Sequence, residues 1–180
     1  MPDISENYLQ SLLHETEEKL RLTGLELQEL KAGLDEAVIV SVSNAKGEII
    51  HANQMMTKIT GYSVDEIIRK KHSIFKSGYH SRDFYRNMWD TLLRAQIWKG
   101  EIKNKAKDGS FFWVDTTIVP FVDEDGDIFQ FMSIRKDITE RKFLEDQAEK
   151  DRAAREYAGR LAAVGEVASN IAHEIRNPLA

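Results

Sequence analysis

The pattern of apolar and polar positions divides the chain into three stretches. From Leu9 to Leu34, Leu9, Leu13, Thr16, Leu20, Thr23, Leu27, Leu30 and Leu34 recur with a 4-3 spacing, and Glu and Lys fill much of the rest. This is a heptad seam, which predicts a helix that pairs with another helix. The two threonines and Gly24 weaken the seam. The alternative is a single amphipathic helix packed on its own domain.

The texture changes at about Ala37. Val38–Val42 is a β-branched run, Asn44-Ala-Lys-Gly47 is a turn signal, and Glu48–His51 can return as a second short strand. Asn53–Thr60 reads as a short helix stopped by Gly61, and Ser63-Val-Asp-Glu66 has the capping-box form that starts another. Lys70–Gly78 is basic and irregular. Ser81 or Asp83 can cap a longer helix, with Phe84, Met88 and Leu92 on one stripe and Tyr85, Trp89 and Leu93 beside it. Three strands follow, Trp98–Lys107, Phe111–Val122 and Ile128–Lys136, joined by turns at Asp108-Gly109 and Asp123-Glu-Asp-Gly126. Two strands, several helices and a three-stranded meander predict an α+β domain, an antiparallel sheet with helices on one side.

From Thr139 onward no strand signal survives, and Glu, Lys, Arg and Ala dominate, as in a long helix. A second seam passes through Leu144, Gln147, Asp151, Ala154, Ala158, Leu161, Gly165, Ala168, Ala172, Ile175 and Leu179. Its polar and small members make a weakly packed seam, which can change register or rotation at low cost. The alternative is one exposed helix held partly by charge pairs. The expected organisation is a coiled-coil helix over 1–35, a globular domain over 36–138, a linker helix over 139–160 and a further helical segment over 161–180.

The net charge of −5 over 180 residues gives no bulk support for a nucleic-acid-binding face. With no cysteine, the chain contains no disulfide, cysteine-ligated zinc or cysteinyl–flavin photochemistry. No apolar run reaches the roughly 18 residues of a membrane span, and the first residues lack the pattern of a signal peptide, so the expected location is cytoplasmic.

The last residues read Asn170-Ile-Ala-His-Glu-Ile-Arg-Asn-Pro-Leu-Ala180, preceded by Leu161-Ala-Ala-Val-Gly-Glu-Val-Ala168. This string resembles the H-box of the histidine kinase dimerisation and phosphotransfer domain. The residue types suit the chemistry: a phosphoacceptor must present a neutral, nucleophilic imidazole on a rigid support. His173 lies beside the seam, at the flank of a paired helix. Glu174 can orient the ring or take its proton, the role that the resemblance also implies. Asn177 is one turn beyond His173. By resemblance it positions water when a phosphorylated partner is dephosphorylated. Pro178 removes the hydrogen bond to the Glu174 carbonyl and kinks the helix. A zinc reading needs a second histidine at 177, which is Asn, so no metal site is expected. The resemblance implies a response regulator receiver domain as partner. No Gly-rich ATP lid or nucleotide box occurs in these residues. The chain is therefore expected to be a fragment of an ATP-dependent kinase, not catalytic alone, that meets the catalytic ATP-binding domain of its parent.

The middle stretch resembles a PAS domain. The resemblance is carried by Gly47-Glu-Ile-Ile-His-Ala-Asn53, Thr60-Gly-Tyr-Ser63 with Glu66-Ile, Trp98-Lys-Gly-Glu, Asn104-Lys-Ala-Lys-Asp-Gly109, Trp113-Val and Asp137-Ile-Thr-Glu-Arg141. It implies a five-stranded antiparallel sheet, and a junction at which Asp137 ties the last strand to the domain and Thr139 caps the outgoing helix. In Trp98–Ala106, strand alternation places Trp98, Gly100, Ile102, Asn104 and Ala106 on one face. An asparagine on that inner face is either bonded to backbone or aimed at a ligand, and Thr116 or Thr117 offers another polar contact.

Trp98-Lys-Gly-Glu-Ile-Lys-Asn104, with Met88-Trp89 and Trp113-Val, also resembles flavin-binding PAS domains of the aerotaxis-receptor type, which implies FAD near Trp98, Asn104, Asn53 and Trp89. An unliganded or metabolite-binding core stays open beside it. Haem through His72 or His80 is a further option, although both fall in a stretch that reads as a solvated basic loop. The expected function is the input region of a two-component sensor histidine kinase, working as a parallel homodimer. The alternative is a structural dimerisation module with an unliganded core.

Overall fold

The computed structural model describes residues 4–176. A helix α1 (Ile4–Ala37) leads into strands β1 (Ile39–Asn44) and β2 (Ile49–Ala52). Two short helices, α2 (Gln54–Thr60) and α3 (Val64–Ile67), a 3-10 turn (His72–Phe75) and α4 (Arg82–Leu93) follow. Strands β3 (Trp98–Lys105), β4 (Phe111–Val122) and β5 (Ile128–Asp137) precede α5 (Thr139–Arg176). The strands form one antiparallel sheet in the order β2-β1-β5-β4-β3. This is the expected α+β architecture, with the first hairpin joined to the meander through β1 and β5.

Local chemistry explains the punctuation. Asn53 caps α2 by accepting from the Met56 amide, and Gly61 ends that helix in the left-handed region at φ 71°. Ser63 and Glu66 form a reciprocal capping box on α3, while Ser81, not Asp83, caps α4. The Asp108-Gly109 turn needs Gly109 at φ 92°, where a Cβ would clash with the backbone.

The inner face of the sheet carries Ile39, Ser41 and Ser43 from β1, Phe131, Ser133 and Arg135 from β5, and Phe112, Val114, Thr116 and Ile118 from β4, all buried. Met56, Ile67, Phe75, Met88 and Leu92 from the helical segments join this face in one core cluster. The chain divides into two compact units at Asp137/Ile138. α5 is one uninterrupted helix across the expected boundary at 160/161. No helix among the described residues is long and apolar enough to cross a membrane.

Candidate functional site: a cavity on the inner face of the sheet

A cavity of about 270 Å³ lies on the inner face, at the small end of ligand pockets, which run roughly 300–1,000 Å³. Most of its lining is apolar, supplied by residues such as Met56, Met88, Leu92, Val114 and Phe131. Into this surface the fold places a few polar groups: Ser43, His72, Asn104, Ser133 and Arg135.

The four residues expected to hold a cofactor part company here. Trp89 and Asn104 line the cavity. The Trp89 ring packs edge-on to Phe131 at 5.6 Å and rests against Gly47, where a Cβ would stand 3.2 Å from the indole. The Asn104 carboxamide makes no hydrogen bond to protein among the described residues. Trp98 is on the inner face as expected but is not part of the lining. Its ring folds back over Gly100, where a Cβ would lie 2.6 Å from it, and meets Phe84 edge-on at 5.6 Å. Asn53 is also outside the lining, and its amide is fully engaged with backbone. Oδ1 accepts from Val40 and Met56 at 3.0 and 3.1 Å, and Nδ2 donates to the Val38 carbonyl at 2.7 Å and, at 3.5 Å, to that of Asp35. Asn53 thus ties the end of α1 to β1 and α2. An asparagine immediately before a short helix is a capping signal, and that signal would have found this role.

The expectation of a solvated loop is overturned for His72, whereas His80 stays in an irregular, half-exposed loop. His72 lines the cavity, and its Nε2 is 2.9 Å from Oγ of the fully buried Ser41. Although the residue keeps some exposed surface, its ring reaches the interior. Burial, aided by the nearby Arg135 charge, lowers its pKa to about 3, so the ring is neutral at physiological pH. His80 accepts from the Lys103 amide through Nε2 at 2.9 Å and stacks on Phe84 at 4.1 Å; burial lowers its pKa as well.

Arg135 is the group that sequence reasoning missed. It is 6% exposed, lines the cavity and donates to Ser41 Oγ at 2.9 Å. Ser41 therefore joins a buried guanidinium to a neutral imidazole. Burial alone brings the Arg135 pKa down to about 10, still far above neutrality, so the charge stays. Of the two candidate threonines, Thr116 is the inward one. It stands opposite Arg135 in the β4–β5 register, and its buried hydroxyl has no hydrogen-bond partner.

At the other end of the chain, His173 and Glu174 lie on the helical backbone of α5, and their side chains are outside those described. Asn177 lies outside the described residues. β5 ends at Asp137 and α5 begins at Thr139.

A family model described as "PAS domain" matches residues 35–140, more than half of the chain. The chain belongs to the PAS domain family.

Two relatives and one solved structure illustrate the match. The chain is 34% identical over 146 residues to sporulation kinase C of Bacillus subtilis (strain 168), covering 78% of this chain and 33% of that protein. It is 31% identical over 108 residues to the aerotaxis receptor of Escherichia coli (strain K12), covering 60% and 21%. An RNA-binding light-oxygen-voltage receptor structure superposes with a TM-score of 0.62 at 19% identity, over 73% of this chain and 38% of that one, a likeness of fold alone. The chain thus spans about a fifth to a third of the length of these curated relatives. This PAS domain has relatives among sensor kinases and an aerotaxis receptor.

Proposed function

We propose that the chain is the input region of a two-component sensor histidine kinase. In this reading a small-molecule or redox ligand in the PAS cavity biases β5, and the bias passes along α5 to the phosphoacceptor His173. The observation that carries the reading is continuity. β5 supplies Phe131, Ser133 and Arg135 to the cavity, and a single residue, Ile138, separates it from the 38-residue helix that bears the histidine string. The similarity to sporulation kinase C, over more of the chain than the PAS domain occupies, supports it.

Glu174 would take the imidazole proton and Asn177 would position water for the reverse reaction on a receiver domain. Asp137 and Thr139 form the junction where cavity and helix meet in sequence. The assembly is a parallel homodimer. On α1 the seam residues Leu9, Leu13, Leu20, Leu27 and Leu30 are exposed in the single chain, as are Leu144 and Leu161 on α5, and a second copy would cover them.

The cavity residues fit a flavin ring in part. Trp89 and Asn104 would hold it, the carboxamide meeting its polar edge, and the bound flavin would supply redox chemistry. Trp98 and Asn53 are committed to packing and backbone.

The test is transfer of phosphate from ATP to this chain by a histidine kinase catalytic ATP-binding domain added in trans. Acid-labile label on the wild type and none on His173→Gln is the expected result. Absence of label on both would remove the proposal.

A further inference from the structure

The cavity is charged against the trend of the chain. The sequence carries a net charge of −5, with 30 acidic and 25 basic residues. Yet Lys46, Lys71, Lys76 and Arg135 all line the cavity, and no aspartate or glutamate does. The three lysines are exposed, whereas Arg135 is buried. The arrangement runs from a solvated cationic rim to a desolvated guanidinium on the floor.

Arg135 is the unusual member. A buried cation costs several kcal/mol unless it is paired, which is why buried arginines normally face a carboxylate. Among the described residues no carboxylate pairs with Arg135, and burial alone perturbs it. Its hydrogen bond goes to a neutral hydroxyl, leaving the rest of a five-donor fork for other acceptors. The neighbouring groups offer no compensating charge. His72, Ser41 and Ser133 are neutral or hydroxylic, and the paired-strand neighbour Thr116 has an unsatisfied hydroxyl. A guanidinium so placed matches the planar, bidentate geometry of a carboxylate or phosphate.

The remainder of the lining sets the body of the ligand. Beyond Arg135 the floor is made by Val114, Ile118 and Phe131, and Asn104 brings a carboxamide from β3. Asn104 pairs with Phe112 and Arg135 with Thr116, so the two polar groups are separated by four residues of β4, about 14 Å of strand.

We propose that the cavity binds a small organic anion with an apolar body, whose carboxylate or phosphate group seats against Arg135. This rests on the reading of the domain as a ligand-gated input. The exposed lysines draw the anion in, and the guanidinium holds it where water is excluded.

The experiment is titration calorimetry on the full chain with hexanoate and benzoate, each against its uncharged amide, and with FMN against riboflavin, which lacks the phosphate. The variants are Arg135→Met, which keeps side-chain volume and removes the charge, and Arg135→Lys, which keeps the charge but not the fork. Circular dichroism and the melting temperature establish that each is folded. In the wild type an acid should bind at least about tenfold more tightly than its amide. Arg135→Met should abolish that preference, and Arg135→Lys should retain part of it. FMN binding that riboflavin lacks, and that Arg135→Met loses, supports the same seat with a phosphate as its occupant. Equal binding of acid and amide together with equal binding of FMN and riboflavin, anion binding untouched in Arg135→Met, or no binding of any probe would each overturn the proposal. Whether wild-type His173 accepts label at all is measured independently of these titrations, so the two proposals fail separately.

Discussion

In the sheet domain Leu92 is 1% and Val114 0% exposed, whereas Leu20 on α1 is 75% and Leu144 on α5 58% exposed. The PAS core thus covers its apolar side chains within one chain, and the long helices leave theirs in water. Isolated helices gain little from propensity alone; their stability comes from packing an apolar stripe against a partner. The contrast teaches that one chain contains a sheet domain that buries its own apolar residues and two helices that leave theirs exposed. The ion pairs on α5, such as Arg141–Glu145 at 2.7 Å and Arg152–Glu156 at 3.0 Å, are solvent-exposed and do not replace that packing.

The contrast breaks most sharply if a core truncation is tolerated. Leu92→Ala should lower unfolding stability by about 2–5 kcal/mol, measured by urea denaturation, with no change in oligomeric mass. The seam calls for the opposite pairing of effects. Leu20→Asp with Leu27→Asp should weaken self-association at least about tenfold by analytical ultracentrifugation while leaving the PAS melting transition in place. An unchanged mass would show that the α1 seam does not join two copies.

Acid sharpens the comparison from the cavity side. The folded pKa of His72 is about 3, below its unfolded value near 6.5, so the unfolded chain takes up the proton first. Stability is therefore full above about pH 6.5 and declines as pH falls toward 3. Between pH 7.5 and 5, above the carboxylate range, His72→Gln should flatten much of the decline in the urea midpoint. The remainder comes from His80, whose pKa burial also lowers. The smallest effect belongs to the helix surface. Arg152→Ala should cost only about 0.3–0.5 kcal/mol, because its partner Glu156 is an exposed i,i+4 neighbour.

The strands, their turns and the caps were legible because each depends on local signals, whereas the β1–β5 pairing that sets the sheet order joins residues as far apart as Ile39 and Arg135 and was not. Strand alternation, Gly61 after a helical run, the Ser63/Glu66 capping box and the Asp108-Gly109 turn act over a few residues. Asn104 was legible too, since period 2 placed it on the face with Trp98 and Ile102. Arg135 was not. In Phe131-Met-Ser-Ile-Arg135 both faces of β5 contain large apolar residues, so alternation alone does not say which face is the floor, and an arginine reads as solvated. The clue lies in register: Arg135 shares a face with Phe131 and Ser133, and pairs across β1 with Ile39. His72 was misplaced because its partner Ser41 is 31 residues away, a distance that no local pattern spans. Trp98 was placed on the right face but its ring turns over Gly100, a rotamer outcome that periodicity does not specify.

The link from cavity to histidine is tested most directly by the initial rate of His173 phosphorylation in trans, comparing wild type with Arg135→Met at matched dimer concentration. A change in rate, with mass and helix content unaltered, is the expected result. Equal rates in the two proteins, both labelled at His173, would contradict transmission from the cavity floor to the phosphoacceptor.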